Sequence, residues 1–488
     1  MKKTLGNKQK RRIGLGLFAA LLLILSCSLF FVLKNREELF SVDTGVDSSQ
    51  LTGDAQTLTV GEDGVEITSG GIYRLDTDIT SGCVIVRADQ ADVQLVLDSV
   101  SITNPDGPAI YVESADNFYL VLNGTNSLDA TTDADYNGAI FSKDDIQISG
   151  DGSLNIKSNL DGIVGKDDLQ IDGGYFVIQA EDDGIVGKDS IKITNGNFEI
   201  TTGGDGLKTT NETEKGDAEF TGGKFVINSE TDGIQIIANL LISGGDFTIR
   251  VADDGIHADG GMTVDGGQIT IEKSYEGIEA GTIVINDGTV KVTASDDGMN
   301  ASGGSDTTDA NRSARDTFVG DASKVLTING GDVYVNSGGD GLDSNGNLYI
   351  TGGTVHVDGP TNDGNGAIDY GDSGCEFKVT GGTLIAVGSS GMAINATSAS
   401  QPSVLVNLSG SYTGQLSFGD ISYSPAKSYS SALISSPDLK LGSSYDLNIS
   451  GTKVQSVTIS SVITTSGNAG MQPGMGQGRQ GGQPGGRR

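Results

Sequence analysis

The feature that most constrains this chain is a repeat. An acidic residue, a glycine and an aliphatic residue recur as Asp161-Gly162-Ile163, Asp183-Gly184-Ile185, Asp205-Gly206-Leu207, Asp232-Gly233-Ile234, Asp254-Gly255-Ile256, Glu276-Gly277-Ile278 and Asp297-Gly298-Met299. The steps between them are 22, 22, 27, 22, 22 and 21 residues. A Gly-Gly mark lies between, ahead of a short apolar alternation, as in Gly222-Gly223-Lys224-Phe225-Val226-Ile227. A fixed period of this size marks a solenoid. Within each unit the apolar residues fall two apart, as in Leu169/Ile171 and Phe176/Ile178, which is strand periodicity. Three strands of about 3–5 residues and three corners fill a coil of roughly 22 residues. Glycine supplies the φ > 0 positions that such corners need. The pattern predicts an all-β parallel β-helix, because no single coil buries its apolar face without its neighbours. Pairs such as Ala109-Ile110, Ala139-Ile140, Gly341-Leu342, Ala367-Ile368 and Ala393-Ile394 extend the ladder to about a dozen rungs.

The chain then divides in order. Residues 1–12 are basic, and Ile13–Leu33 carries no charge over 21 residues. That is close to the roughly 20 residues needed to cross a bilayer, and the basic flank places the remainder outside. An uncleaved transmembrane signal anchor is the favoured reading, with a cleaved signal peptide or a lipoprotein site at Cys27 as alternatives. Residues 34–54 read as a linker, 55–400 as the β-helix with irregular first strands over Thr57–Val86, 401–464 as a small C-terminal β cap, and 465–488 as a disordered tail. Two loops leave the coils, Thr209–Glu219 and Ser302–Asp321.

A net charge of −33 argues against nucleic acid as a partner. It also argues against an acidic polymer unless a cation bridges the two. Of the three cysteines, Cys27, Cys83 and Cys375, Cys83 lies near the first rung and Cys375 near the far end of the ladder, too far apart to pair within one rod.

Stacking puts the repeated acids on one edge, where they repel unless turn N–H groups or cations offset the charge. Carboxylates cluster twice: Asp253, Asp254, Asp259, Glu276, Glu279, Asp296 and Asp297, then Asp340, Asp343, Asp363, Asp369 and Asp372. Calcium takes 6–8 oxygen ligands in flexible geometry, so at least one Ca²⁺ is expected there. Of these acids Asp253, Asp254, Glu276, Glu279, Asp296, Asp297, Asp340, Asp343 and Asp369 are the candidate metal ligands. A second column lies beside the aliphatic of each mark: Tyr111, Phe141, Val164, Val186, Lys208, Gln235, His257, Glu279, Asn300, Asp343, Asp369 and Asn395. Its polar part is either a solvated face or a strip for an extended polymer. Lys208, Gln235, His257 and Asn300 are the candidate polymer contacts, with Tyr275 and Tyr370 for sugar stacking. His257 by itself reads as an exposed histidine. No catalytic residue stands out; Lys208, Arg250, Arg312 and Arg315 are the bases a calcium-dependent lyase would draw on.

The segments Asp205-Gly206-Leu207-Lys208, Gly339-Asp340-Gly341-Leu342-Asp343-Ser344-Asn345-Gly346, Asn365-Gly366-Ala367-Ile368-Asp369-Tyr370-Gly371-Asp372-Ser373-Gly374-Cys375 and Ser435-Ser436-Pro437-Asp438-Leu439-Lys440-Leu441-Gly442 carry a family resemblance. The chain resembles bacterial surface carbohydrate-binding proteins with a polysaccharide-lyase-like right-handed parallel β-helix. That resemblance implies calcium and non-catalytic binding of cellulose or polygalacturonate outside the cell. A calcium-dependent polysaccharide lyase and a structural adhesin or spacer are the alternatives. The absence of Trp leaves tyrosine to supply any sugar-stacking surface.

Overall fold

The structure is a computed structural model describing residues 51, 53–213, 215–302, 320–372 and 374–467. The expected span 13–33 and nearly all of the tail lie outside the described residues. Among the described residues no helix is long and apolar enough to cross a membrane.

Each coil crosses three stacked ladders of strands, called sheets 1 to 3; sheets 1 and 2 are joined where Ile256–Val264 and Ile278–Ile285 run through both as single strands. In the coil at the first Asp-Gly mark the strands are Asp161–Gly165 on sheet 1, Asp168–Ile171 on sheet 2 and Tyr175–Ala180 on sheet 3. The next coil places Ile185–Gly187, Ser190–Ile193 and Asn197–Thr202 against them, all in parallel. Sheet 3 contains fifteen strands among the described residues; the last three belong to the C-terminal cap. The other twelve run parallel from Ser101–Asn104 to Thr383–Gly388, giving the dozen coils expected from the repeat.

Alternation explains the core. Phe176, Phe198, Phe225 and Phe247 occupy equivalent positions on sheet 3 and are buried. Their rings stack nearly face to face, with centroids 4.9, 4.6 and 4.5 Å apart. The period of the coil therefore becomes an aromatic column along the axis.

The two glycine marks do different work. The second glycine of each Gly-Gly pair that precedes a sheet 3 strand sits at positive φ, as at Gly223 with φ 95°. The glycine of Asp-Gly does not: it is small because the next coil passes close by. A Cβ on Gly184 would lie 2.5 Å from the Gly206 carbonyl oxygen. The expectation that both marks supply left-handed corners holds for the first kind alone.

The coils also begin earlier than the Asp-Gly marks suggest. Gly64–Ile67 pairs in parallel with Cys83–Arg87, and Gly71–Leu75 with Val93–Asp98. Ile67, Tyr73 and Leu75 alternate into the core, so this stretch stacks without the sequence mark. At the other end Thr383–Gly388 pairs antiparallel with Tyr429–Ser435, which ends the parallel stack. An antiparallel sheet follows, formed by Leu416–Phe418, Ile421–Tyr423, Ser444–Ile449 and Thr452–Thr458. Buried Asp358 fastens it to the coils, accepting from Tyr423 Oη at 2.8 Å, Tyr334 Oη at 3.1 Å and the Ala426 N–H at 2.8 Å.

Candidate carbohydrate and cation site

The outward column of sheet 1 is in the register expected from the sequence. Tyr111 pairs with Phe141, and the ladder continues through Val164, Val186, Lys208, Gln235, His257, Glu279, Asn300 and Asp343. Its exposure is not the expected one.

The acids at the corner beside this column are bound into the backbone. Asp161 Oδ1 accepts from the Asp183 N–H at 3.1 Å, Asp183 Oδ1 from Asp205 at 2.7 Å, and Asp205 Oδ1 from Asp232 at 3.0 Å. Asp232 Oδ1 accepts from the Asp254 N–H at 2.8 Å and Asp297 Oδ1 from Asp340 at 2.6 Å. Each carboxylate thus satisfies the peptide one coil further on. The price is burial: loss of water and repulsion from neighbouring carboxylates push Asp161 up to about 7 and Asp232 up to about 9.

Protein cations neutralise the first part of the ladder. Lys208 Nζ lies 2.7 Å from Asp205 and 3.3 Å from Asp183. Lys215, in the loop that lengthens one repeat, reaches Asp189 at 3.0 Å, Asp167 at 3.7 Å and Asp168 at 3.8 Å. His257 is fully buried, which corrects the expectation of an exposed ring. Its Nδ1 is 3.4 Å from Asp254 and 3.5 Å from Glu279, and its Nε2 is 2.9 Å from Asp259. These acids raise the imidazole far above its usual value against the opposing effect of burial. His257 is therefore a charged internal counter-ion with no face for a polymer. The reason is tertiary: acids from its own corner and from the next coil close over it.

Three tight groups, Asp232/Asp254/His257, Asp145/Asp167/Asp168 and Asp161/Asp182/Asp183, bring ligand atoms within 4.8 Å of one another. Each already contacts a protein cation: His257 itself, Lys215, and Lys208 through Asp183. They suit a fixed side-chain charge better than a metal ion. Glu276, whose Oε2 accepts from Asn300 Nδ2 at 3.2 Å, is pushed up to about 10 by burial and by Glu279 and Asp254.

The later coils differ. Asp296, Asp297, Asp340, Asp343, Asp369 and Asp372 line a cleft of about 390 Å³, with Tyr370, Met392 and Ile394 on its wall. Among the described residues no Lys, Arg or His forms an ion pair with Asp340, Asp343 or Asp369. Burial, and then repulsion between these acids, pushes Asp340 up to about 8 and Asp343 well above the carboxylate range. Ser344, Asn345 and Asn365 add neutral oxygens. This donor set consists of oxygen atoms and fits a hard divalent cation such as calcium.

The structure thus splits the sequence candidates. Asp296, Asp297, Asp340, Asp343, Asp369 and Tyr370 meet in the cleft. Asp254, Glu276 and Glu279 gather around or beside His257, while Lys208 is held between two acids. Gln235, Asp253 and Tyr275 are half-buried, and the Tyr275 N–H donates to the Asp253 carbonyl at 2.7 Å. Of the bases named for a lyase, Arg250 pairs with Glu272 on sheet 3, and Arg312 and Arg315 lie outside the described residues. Lys215 was missed; the 27-residue step pointed to its loop but not to what the loop carries.

Residues 61–298 match the family described as carbohydrate-binding domain-containing protein. This segment is a carbohydrate-binding domain. An Acetivibrio thermocellus protein of the same description is 33% identical over 137 residues, 25% of this chain and 47% of the relative. The chain thus spans about half the length of the curated relative it matches. A solved structure of a polysaccharide lyase-like protein from C. thermocellum, a gadolinium derivative, is 32% identical, covering 43% of this chain and 91% of that chain with a TM-score of 0.41. The carbohydrate-binding domain contains the Lys208 and His257 clusters. The cleft acids from Asp340 onward lie beyond the matched segment.

Proposed function

We propose that this protein binds acidic plant-type polysaccharide, such as polygalacturonate, without cleaving it, and that calcium held in the acidic cleft bridges to the polymer. Cellulose is the neutral alternative. The observation that carries the reading is the contrast along one ladder. Where the fold supplies Lys208, Lys215 and His257, the acids are neutralised internally; at Asp340, Asp343 and Asp369 no such partner stands among the described residues. A bound Ca²⁺ would supply that charge and keep coordination positions for uronate carboxylates and water. Asp340, Asp343 and Asp369 would hold it. Tyr370, half-buried at the edge of the same cleft, offers a ring against which a sugar can stack. The basic segment and apolar run at the N-terminus support display on the outer face of a bacterial membrane.

The test is retention of the full chain on immobilised polygalacturonate and on cellulose, with calcium or with EDTA. Asp343→Asn with Asp369→Asn is expected to abolish the calcium-dependent fraction. Equal retention by that variant would reject the cleft. Release of unsaturated product absorbing in the ultraviolet would instead favour a lyase.

A further inference from the structure

The outer face of sheet 1 carries a second feature, in the coils before Lys208. Phe141, Val164 and Val186 point away from the main core yet form a small apolar cluster, with Tyr111 packed against it. Tyr136, 38% exposed, folds over its edge, with ring centroids 5.0 Å from Tyr111 and 5.6 Å from Phe141. Lysines stack beside this cluster on consecutive coils. Ser142, Gly165 and Gly187 are in register, and Lys143, Lys166 and Lys188 follow them directly. Lys143 Nζ lies 5.4 Å from the Tyr111 ring centre and 5.9 Å from that of Tyr136, and Lys166 Nζ lies 5.3 Å from that of Phe141. Among the described residues neither Lys143 nor Lys166 forms an ion pair, whereas Lys188 lies 3.3 Å from Asp189. The acids that follow the first two are engaged elsewhere: Asp144 accepts from the Ala115 N–H at 2.9 Å, and Asp167 lies 3.7 Å from Lys215. A groove of about 680 Å³ lined by Arg87, Glu113, Ser114 and Lys143 opens at the same end.

A protein of net charge −33 therefore stacks three lysines one coil apart beside an apolar and aromatic strip. Like charges spaced at about 4.8 Å are best satisfied by an anion that repeats on a similar scale. A pyranose ring is comparable in length, presents C–H faces to aromatic rings, and in a uronate carries one carboxylate per residue. We infer that Tyr136, Lys143, Lys166 and Lys188 form a second glycan site that binds a uronate-containing chain directly, through lysine–carboxylate pairs and tyrosine stacking, without a metal ion. This rests on the carbohydrate-binding reading above and deepens it. The site lies inside the segment that matches the carbohydrate-binding family, whereas most of the acidic cleft lies outside it.

The two sites separate experimentally. Full-length protein is titrated with polygalacturonate, its methyl ester and poly-glutamate, in EDTA at low and high salt. The inference expects polygalacturonate to bind in EDTA, at least tenfold weaker binding by Lys143→Gln/Lys166→Gln and by Tyr136→Ala, and a marked loss on raising salt or esterifying the carboxylates. The cleft variant Asp343→Asn/Asp369→Asn is expected to leave this binding unchanged. Should the double lysine variant fail to fold, Lys143→Gln alone, at an exposed position, carries the test. Binding seen with calcium and absent in EDTA would overturn this site while sparing the proposed function. No binding under either condition would overturn both. Equal binding of poly-glutamate would overturn the glycan assignment in favour of a general polyanion surface.

Discussion

Replacing His257 with glutamine tests whether the acid ladder depends on built-in cations. The pocket around the ring holds Asp254, Asp259 and Glu279, and these acids keep a proton on the site in the folded state against the opposing effect of burial. In the native protein the imidazole holds that proton. In His257→Gln a carboxylate must take it. The unfolded values of about 6.5 for His and about 4.3 for Glu differ by roughly 2.2 units, or about 3 kcal/mol at pH 7. That figure sits at the low end of the range of about 3–5 kcal/mol for breaking a buried ion pair. The sign follows from linkage. A folded pKa raised above the unfolded one gives stability that is complete below the unfolded value and erodes as pH rises. At this site both proteins take up the same number of protons on folding above about pH 6.5, so they lose stability in parallel there and the gap between them stays constant. Below that pH the native protein no longer depends on uptake while the variant still does, so the gap shrinks and closes near about pH 4. Urea denaturation at pH 4.5, 6 and 7.5 measures it. A gap below about 1 kcal/mol at pH 7.5, or an equal gap at pH 4.5, would refute the reasoning.

Other outcomes follow from the same structure. Phe225 has a stacked ring on each side and Phe176 on one, so Phe225→Ala is expected to cost about 3–5 kcal/mol and Phe176→Ala about 0.5–1.5 kcal/mol less, read by chemical denaturation. Because Asp340 is pushed up to about 8, calcium uptake by the cleft is expected to release protons below that pH and to weaken about tenfold per unit of acidification; calorimetry in buffers of different ionisation enthalpy reads the protons. Asp358→Ala removes an acceptor shared by Tyr423, Tyr334 and the Ala426 N–H, and is expected to loosen the cap by about 1–3 kcal/mol, seen as faster hydrogen exchange in residues 416–458.

The repeat by itself determined the solenoid, the coil number and the register of the outward column from Tyr111 to Asp343. It could do so because an aliphatic at a fixed period must face the shared core, and its neighbour must then face out. What the tertiary structure decided is which outward residues meet solvent. Periodicity says that Lys208 and His257 stack in line; it does not say that acids from flanking corners close around both. It likewise could not show that the long step delivers Lys215 onto Asp189, or that Asp358 clamps Tyr423 from 65 residues away. Those contacts depend on how far corner loops and side chains reach between coils, which strand periodicity does not encode.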